Sequence, residues 1–239
     1  MQRQETTEYK KIELPSYMMD FLKSQNGLLR NNRARTYSVT ELIRCKRNTF
    51  FKKSRYPQET LLNQDISDLW SPIRGNLLHK MTDSFSWSEL EGTKEVFLED
   101  GRLFTICGRL DMYDEKSKTV IDLKTVNDVN HLLDEGLLPF DEHVKQIQAY
   151  YTIFGKYIPI EHLHLVYADM THMETFEITP RDTSKWLELR VNTLQNHIDS
   201  ENVPDGEVSS KCKFCKYQTA CFKISGGIQG NPESEFRRN

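Results

Sequence analysis

The run Val120-Ile121-Asp122-Leu123-Lys124-Thr125 constrains this chain more than any other segment, because it sets two opposite charges two positions apart inside a β-forming stretch. Side chains alternate along a strand, so Asp122 and Lys124 share one face while Ile121 and Leu123 take the other. The reading that follows sends the apolar pair into the core and the charged pair into a cleft. A short turn, Asp114-Glu115-Lys116-Ser117, joins this run to an earlier one, Leu103–Tyr113. Turns of that length make antiparallel neighbours, and this one places Asp111 beside Asp122.

The rest of the sequence supplies elements around that hairpin. A further strand is expected at Lys94–Glu99, and later ones at Glu161–Ala168 and Glu174–Ile178. Ser38 and Glu41 make a capping box that starts a helix with Val39, Leu42 and Ile43 on its apolar face and Phe50 or Phe51 extending it. Ser71-Pro72 reads as an N-cap followed by proline at the first helical position, with the helix running through Leu77, Leu78 and Met81 towards Phe85. A third helix runs from Asp141 to Gly155. A fourth runs from Pro180 to about Ser200, with Trp186, Leu187, Leu189, Leu194 and Ile198 available for packing. The order α-βββ-α-ββ-α predicts a single α/β domain, a mixed central sheet flanked by helices. Residues 1–35 read as an appendage containing one short helix, Ser16 to about Gln25, and residues 223–239 as a flexible tail, leaving 36–222 as the folded body.

Composition limits the class. At 37% hydrophobic and 28% charged residues this is the balance of a globular chain, and no apolar run approaches the length of a membrane span. The N-terminus lacks a signal-peptide core, so a reducing cytoplasm is expected, where cysteines more often hold metals than form disulfides. The net charge of −3 hides an asymmetry. Residues 1–60 carry 13 Lys and Arg against 6 Asp and Glu, residues 211–239 carry 6 against 2, and the stretch between carries 13 against 27. Two basic ends around an acidic body fit a phosphate-binding surface beside a site that gathers carboxylates; ordinary solvated charge explains the same numbers.

Two carboxylates and a lysine at one spot form a hard-cation site with a fixed positive charge at its edge. Oxygen ligands hold Mg²⁺ or Mn²⁺, the ion acidifies and positions water, and lysine steadies the charge that develops on an attacked phosphodiester. Alone, the pattern Asp-x10-Asp-x-Lys is weak, since surface hairpins often carry such residues. His79, in Gly75-Asn76-Leu77-Leu78-His79 just before the sheet, is positioned to add an imidazole, and otherwise is a solvated helical residue. Gln146 and Tyr150 are four apart on one helix face, where amide and phenol suit contact with a nucleic-acid strand; the alternative is a polar face with a half-buried tyrosine.

Taken in order, His79, Asp111, Asp122-Leu123-Lys124 and Gln146-x3-Tyr150 resemble the RecB-like branch of the PD-(D/E)xK nucleases. The resemblance implies that His79, Asp111, Asp122 and the Leu123 carbonyl ligate the metal, that Lys124 is catalytic, and that Gln146 and Tyr150 help to bind DNA. Leu110 stands where the family name has proline, and Asp122 where glutamate is commoner. Neither departure removes a ligand.

Cys212-x2-Cys215-x5-Cys221 lies in a basic C-terminal segment, and Cys45 on the basic N-terminal helix is the natural fourth thiol. Four thiolates hold a 4Fe–4S cluster or a structural Zn²⁺, and spacing alone leans slightly to zinc. One cysteine ahead of the core and a trio behind it resembles the iron–sulfur RecB-like nucleases, above all the CRISPR-associated exonucleases of the fourth Cas family; Tyr37 to Cys45, followed by Phe50-Phe51, is similar to the N-terminal helix there. That resemblance covers about residues 36–222. It implies a 4Fe–4S cluster joining the N- and C-terminal segments, an exonuclease acting on single-stranded DNA or duplex ends, and partnership with a CRISPR integrase complex in spacer acquisition. A repair, recombination or viral-replication nuclease would carry the same site, and a non-catalytic, zinc-stabilised DNA-binding or scaffold subunit is the rival from another class. Cys107 falls outside the spacing pattern and is expected to be a small buried side chain.

Overall fold

A computed structural model describes residues 35–58, 66–81 and 87–224, with side chains in the second stretch described for 70, 73–78 and 80. The expected helix at 16–25, most of the appendage and most of the tail lie outside those residues. The chain opens with strand β1 (Thr36–Ser38) and two short helices, α1 (Val39–Ile43) and α2 (Lys46–Lys53). The capping box forms as read: Ser38 Oγ accepts from the Glu41 N–H at 3.2 Å, and the Ser38 N–H donates to Glu41 Oε2 at 2.9 Å. The single helix expected from Ser38 is interrupted, because Arg44 and Cys45 turn to extended backbone before α2 begins. Phe50 and Phe51 are buried on α2.

Helix α3 spans Ile66–Met81, so it starts before Ser71 and reads through Pro72. The proline removes one backbone donor without stopping a helix already begun. Strands β2 (Glu91–Phe97), β3 (Leu103–Arg109), β4 (Met112–Asp114) and β5 (Thr119–Thr125) follow. Next come α4 (Val129–Asp134), α5 (Asp141–Phe154), β6 (His162–Ala168), β7 (Met173–Glu177) and α6 (Ser184–Asp199). A 3-10 turn at Ser210–Phe214 and helix α7 (Gln218–Ile224) complete the described chain. Among the described residues, no helix is long and apolar enough to cross a membrane.

The expected single sheet is divided in two. One has the order β1-β3-β2 and the other β4-β5-β6-β7, and both are mixed: β1 runs parallel to β3, and β5 parallel to β6. The division falls at a bend, Leu110-Asp111, in what the sequence presents as one strand. Backbone bonds from Leu110 to Leu90 (2.9 Å), Glu89 to Asp111 (3.1 Å) and Tyr113 to Trp87 (2.8 Å) carry the hairpin across it. Short turns tell which strands are neighbours, and they do not tell where a strand changes sheet.

Both faces of β5 are covered, which corrects the expectation of a core face and an open cleft face. Val120 joins the main core with Leu163 and Leu165 of β6 and with Ile147, Tyr150, Ile153 and Phe154 of α5. On the other face, Leu123 packs with Met112, Ala168 and Leu78 of α3. Each fully buried large apolar side chain contributes roughly 1.5–3 kcal/mol, so two covered faces make β5 a fixed platform. Gly92 and Gly108 sit opposite each other on β2 and β3 under α5. A Cβ on Gly92 would lie 2.5 Å from the Phe154 ring, and one on Gly108 would lie 3.3 Å from the Tyr150 ring, so the pair lets the helix settle onto the sheet. Helix α6 buries Leu187, Val191 and Leu194 at helical spacing; Leu189, expected to pack, is 66% exposed on the outer face. Cys107 is half-buried on β3, less enclosed than expected.

Candidate active site

Among the described residues, Asp122 is the most deeply buried charged side chain. Its side chain shares the face of β5 that carries Val120, so it stands at the rim of the main core, 1% exposed. Lys124 Nζ lies 2.6 Å from Asp122 Oδ2 as an ion pair, and Oδ1 has no hydrogen-bond partner among the described residues. An ionised group held dry in this way is costly, and several kcal/mol is a usual order for such a penalty.

Asp111 occupies the bend between the sheets. The Met112–Ile121 register brings it level with Asp122, and its Oδ2 accepts the Leu123 backbone N–H at 2.9 Å. Burial first, then repulsion from Asp122, pushes its carboxyl up to about 7; Lys124 and the Leu123 N–H oppose the shift. Glu89, paired with Arg109 at 2.6 Å, adds further negative charge nearby. Asp122 disfavours the charge of Asp111 and has one oxygen without a partner among the described residues, an arrangement that suits a divalent cation between the two. The Leu123 carbonyl belongs to the same strand position.

Helix α3 crosses the Leu123 side of β5, where Gly75 would place a Cβ 3.2 Å from Thr125 Oγ1. His79 lies one turn further along α3, and its side chain is outside the described residues. Among the described residues, no three His, Cys, Asp or Glu side chains are gathered closely enough to hold a metal ion.

Gln146 and Tyr150 do meet: the Gln146 amide donates to the Tyr150 hydroxyl at 2.8 Å. Tyr150 is 5% exposed, with its ring in the core. Burial, followed by Asp122 and Asp111, holds its hydroxyl protonated well above the usual range. The phenol thus faces the carboxylate pair rather than open solvent, while Gln146 is half-buried. Two further residues share this face, neither singled out in the sequence. His143 Nδ1 lies 2.9 Å from the hydroxyl of Tyr167, and Tyr167 is the β6 neighbour of Lys124. His143 precedes Gln146 by three positions on α5, so the helical spacing that paired Gln146 with Tyr150 was enough to find it.

The N- and C-terminal segments of the described chain meet at one junction. Phe50 and Phe51 of α2 pack with Tyr217, Cys215 and Cys221. Arg47, 7% exposed, donates to the Pro204 carbonyl at 2.8 Å, the Cys221 carbonyl at 3.2 Å and Cys221 Sγ at 3.3 Å. Asn48 donates to Cys215 Sγ at 3.3 Å, and the Glu207 and Ser209 N–H groups donate to Cys45 and Cys212 Sγ at 3.4 Å each. Every one of the four sulfurs therefore receives an N–H donor at one junction, although the thiols are not drawn into a ligand cluster.

An α/β core that bends one strand between two sheets and seats a carboxylate pair and a lysine at the bend defines a nuclease scaffold. The chain belongs to the PD-(D/E)XK nuclease superfamily, whose family model matches residues 41–222. The fold is similar to that of the solved structure of SSO0001, with a TM-score of 0.57 at 23% identity, covering 85% of this chain and 93% of that one. A phage-related exonuclease from Haemophilus somnus 129PT aligns at a TM-score of 0.39 and 16% identity, over 68% of this chain and 80% of that one. No curated protein matches the sequence.

Proposed function

We propose that this nuclease is a Mg²⁺- or Mn²⁺-dependent deoxyribonuclease that works as an exonuclease on single-stranded DNA or duplex ends. The observation that carries the reading is Asp122: a buried carboxylate with one oxygen unpartnered among the described residues, beside a lysine and a second carboxylate whose charge it suppresses. Such an arrangement costs stability, and a divalent cation held by Asp111, Asp122, the Leu123 carbonyl and His79 recovers it. The bound ion supplies Lewis-acid charge to the phosphate and lowers the pKa of water. Asp111 and Asp122 hold the ion, while Lys124, already fixed 2.6 Å from Asp122, presents its ammonium to the charge that grows on the phosphate oxygens. Gln146 contacts the DNA strand, and Tyr150 fixes the Gln146 amide.

In the same reading Cys45, Cys212, Cys215 and Cys221 hold a 4Fe–4S cluster. The four N–H donors support it, because a thiolate or cluster sulfur accepts such bonds far better than a neutral thiol does. The resemblance of the cysteine arrangement to CRISPR-associated exonucleases points to a cytoplasmic role in spacer acquisition beside an integrase. The deciding experiment incubates the protein with end-labelled single- and double-stranded DNA, with Mn²⁺, with Mg²⁺ and with chelator. Release of nucleotides from ends that stops in chelator and in Asp122→Asn supports the proposal. Cleavage that persists in chelator overturns it.

A further inference from the structure

We infer that His143 forms a phosphate subsite on α5, donating its Nε2–H to a phosphodiester oxygen of the bound DNA strand next to the scissile one. This rests on the nuclease reading and adds a residue that the resemblance does not name. Tyr167 is fully buried, and its hydroxyl oxygen already accepts the Phe140 N–H at 3.0 Å. A buried hydroxyl proton without an acceptor costs about 1–3 kcal/mol, and His143 Nδ1 at 2.9 Å is the acceptor the structure provides. The imidazole is therefore neutral with Nδ1 as acceptor, and its only N–H is on Nε2. Burial first, then the charges of Lys124 and Lys211, keep the ring from taking a second proton.

Among the described residues, no acceptor lies within hydrogen-bond range of that N–H. Glu142 Oε1 is 3.7 Å away, beyond hydrogen-bond range, and is already engaged by Lys211. The ring packs edge-on against Phe140, with centroids 5.5 Å apart at 85°. Its side chain keeps 19% exposure. The location is specific. Tyr167 pairs with Lys124 in the β5–β6 register, so His143, bound to the Tyr167 hydroxyl, lies on the same side of β5 as Lys124. Gln146 follows one helical turn later on the same side. A neutral donor, a lysine and an amide on the α5 side of β5 suit a polyanionic strand.

The test measures affinity and turnover separately. For His143→Gln, binding of labelled single-stranded DNA in chelator should weaken roughly tenfold, the size expected for one hydrogen bond to a charged oxygen. KM should rise by a similar factor with kcat little changed, because the contact exists in ground and transition states alike. Nitrogen-15 NMR of the histidines should show His143 as the Nε2–H tautomer, and Tyr167→Phe should release that tautomer and weaken binding part of the way. Unchanged affinity in His143→Gln, a loss of kcat at unchanged affinity, or a protonated Nδ1 in the wild type each overturns the inference. A wild type that neither binds nor cleaves DNA would instead bring down the nuclease reading beneath it.

Discussion

Lys124 Nζ and Asp122 Oδ2 stand 2.6 Å apart, and the two partners differ sharply in how dry they are: 18% of the lysine side chain is exposed against 1% of the aspartate. Removing one partner of such a pair is therefore not equivalent to removing the other. Lys124→Met leaves an ionised carboxylate buried without a counter-charge and should cost about 1–3 kcal/mol, less than a fully buried pair because the lysine is partly solvated. Asp122→Asn removes the buried charge and should leave the melting temperature in chelator unchanged or higher. Both should lose at least a hundredfold in kcat. Thermal melts in chelator check the asymmetry, and equal losses of stability would refute it.

Gly92 and Phe154 give a packing test away from the chemistry. The Cβ of Gly92→Ala would lie 2.5–2.9 Å from three ring atoms of Phe154, so α5 must move or the ring must leave its place. A destabilisation of about 1–3 kcal/mol is expected. Phe154→Leu in the same chain should recover part of it, because the obstacle is the ring. Urea unfolding of both single variants and the double variant measures the coupling; strict additivity would mean that the two do not touch.

Acid should weaken the fold through His143. The folded-state pKa is held at about 3, below the ordinary histidine value of 6.5, by burial and then by Lys124 and Lys211. The unfolded chain then binds more protons between those values, so this stability is complete above about pH 6.5 and is lost as pH falls towards 3. Melting temperatures of the wild type should drop across that window more steeply than those of His143→Gln. Parallel curves would remove His143 from the account.

For the cysteine junction, anaerobically purified protein should be brown, with about four irons and four sulfides per chain. Replacement of Cys45, Cys212, Cys215 or Cys221 by serine should bleach it, and Cys107→Ser should not. Arg47→Leu loses three hydrogen bonds from a buried guanidinium and should expose the segment around residues 203–222 to protease even where colour is kept. Colourless wild-type protein with one zinc per chain refutes the cluster and spares the nuclease.

The grouping of Asp111, Asp122 and Lys124 was legible because alternation puts Asp122 and Lys124 on one face and the hairpin turn brings Asp111 level with them, although the pattern alone is one that surface hairpins also carry. The two ends of α5 were legible to within a residue, since Asp141 and Gly155 mark them directly. Alternation along β5 says which side chains share a face, and it is silent on whether a helix covers that face. Hence the open cleft expected around Asp122 gave way to a dry one. The six residues of α4 and the three of β1 are too short for periodicity to register. Hydrogen bonds to sulfur depend on residues such as Asn48 and Glu207, which come near cysteines only after folding.

Asp111 belongs to neither sheet. It hangs from the bend through which one run of chain leaves the first sheet and enters the second, while Asp122 is fixed on a strand covered on both sides. The gap between the two carboxylates is therefore a gauge of the angle between the sheets, read at its vertex. An ion held by both carboxylates would be coupled to that angle, and by reciprocity the angle would be coupled to the affinity for the ion. Gly92 and Gly108, which seat α5 across the first sheet, and Leu78, which braces the second from below, thereby act on the same quantity from opposite sides of the molecule.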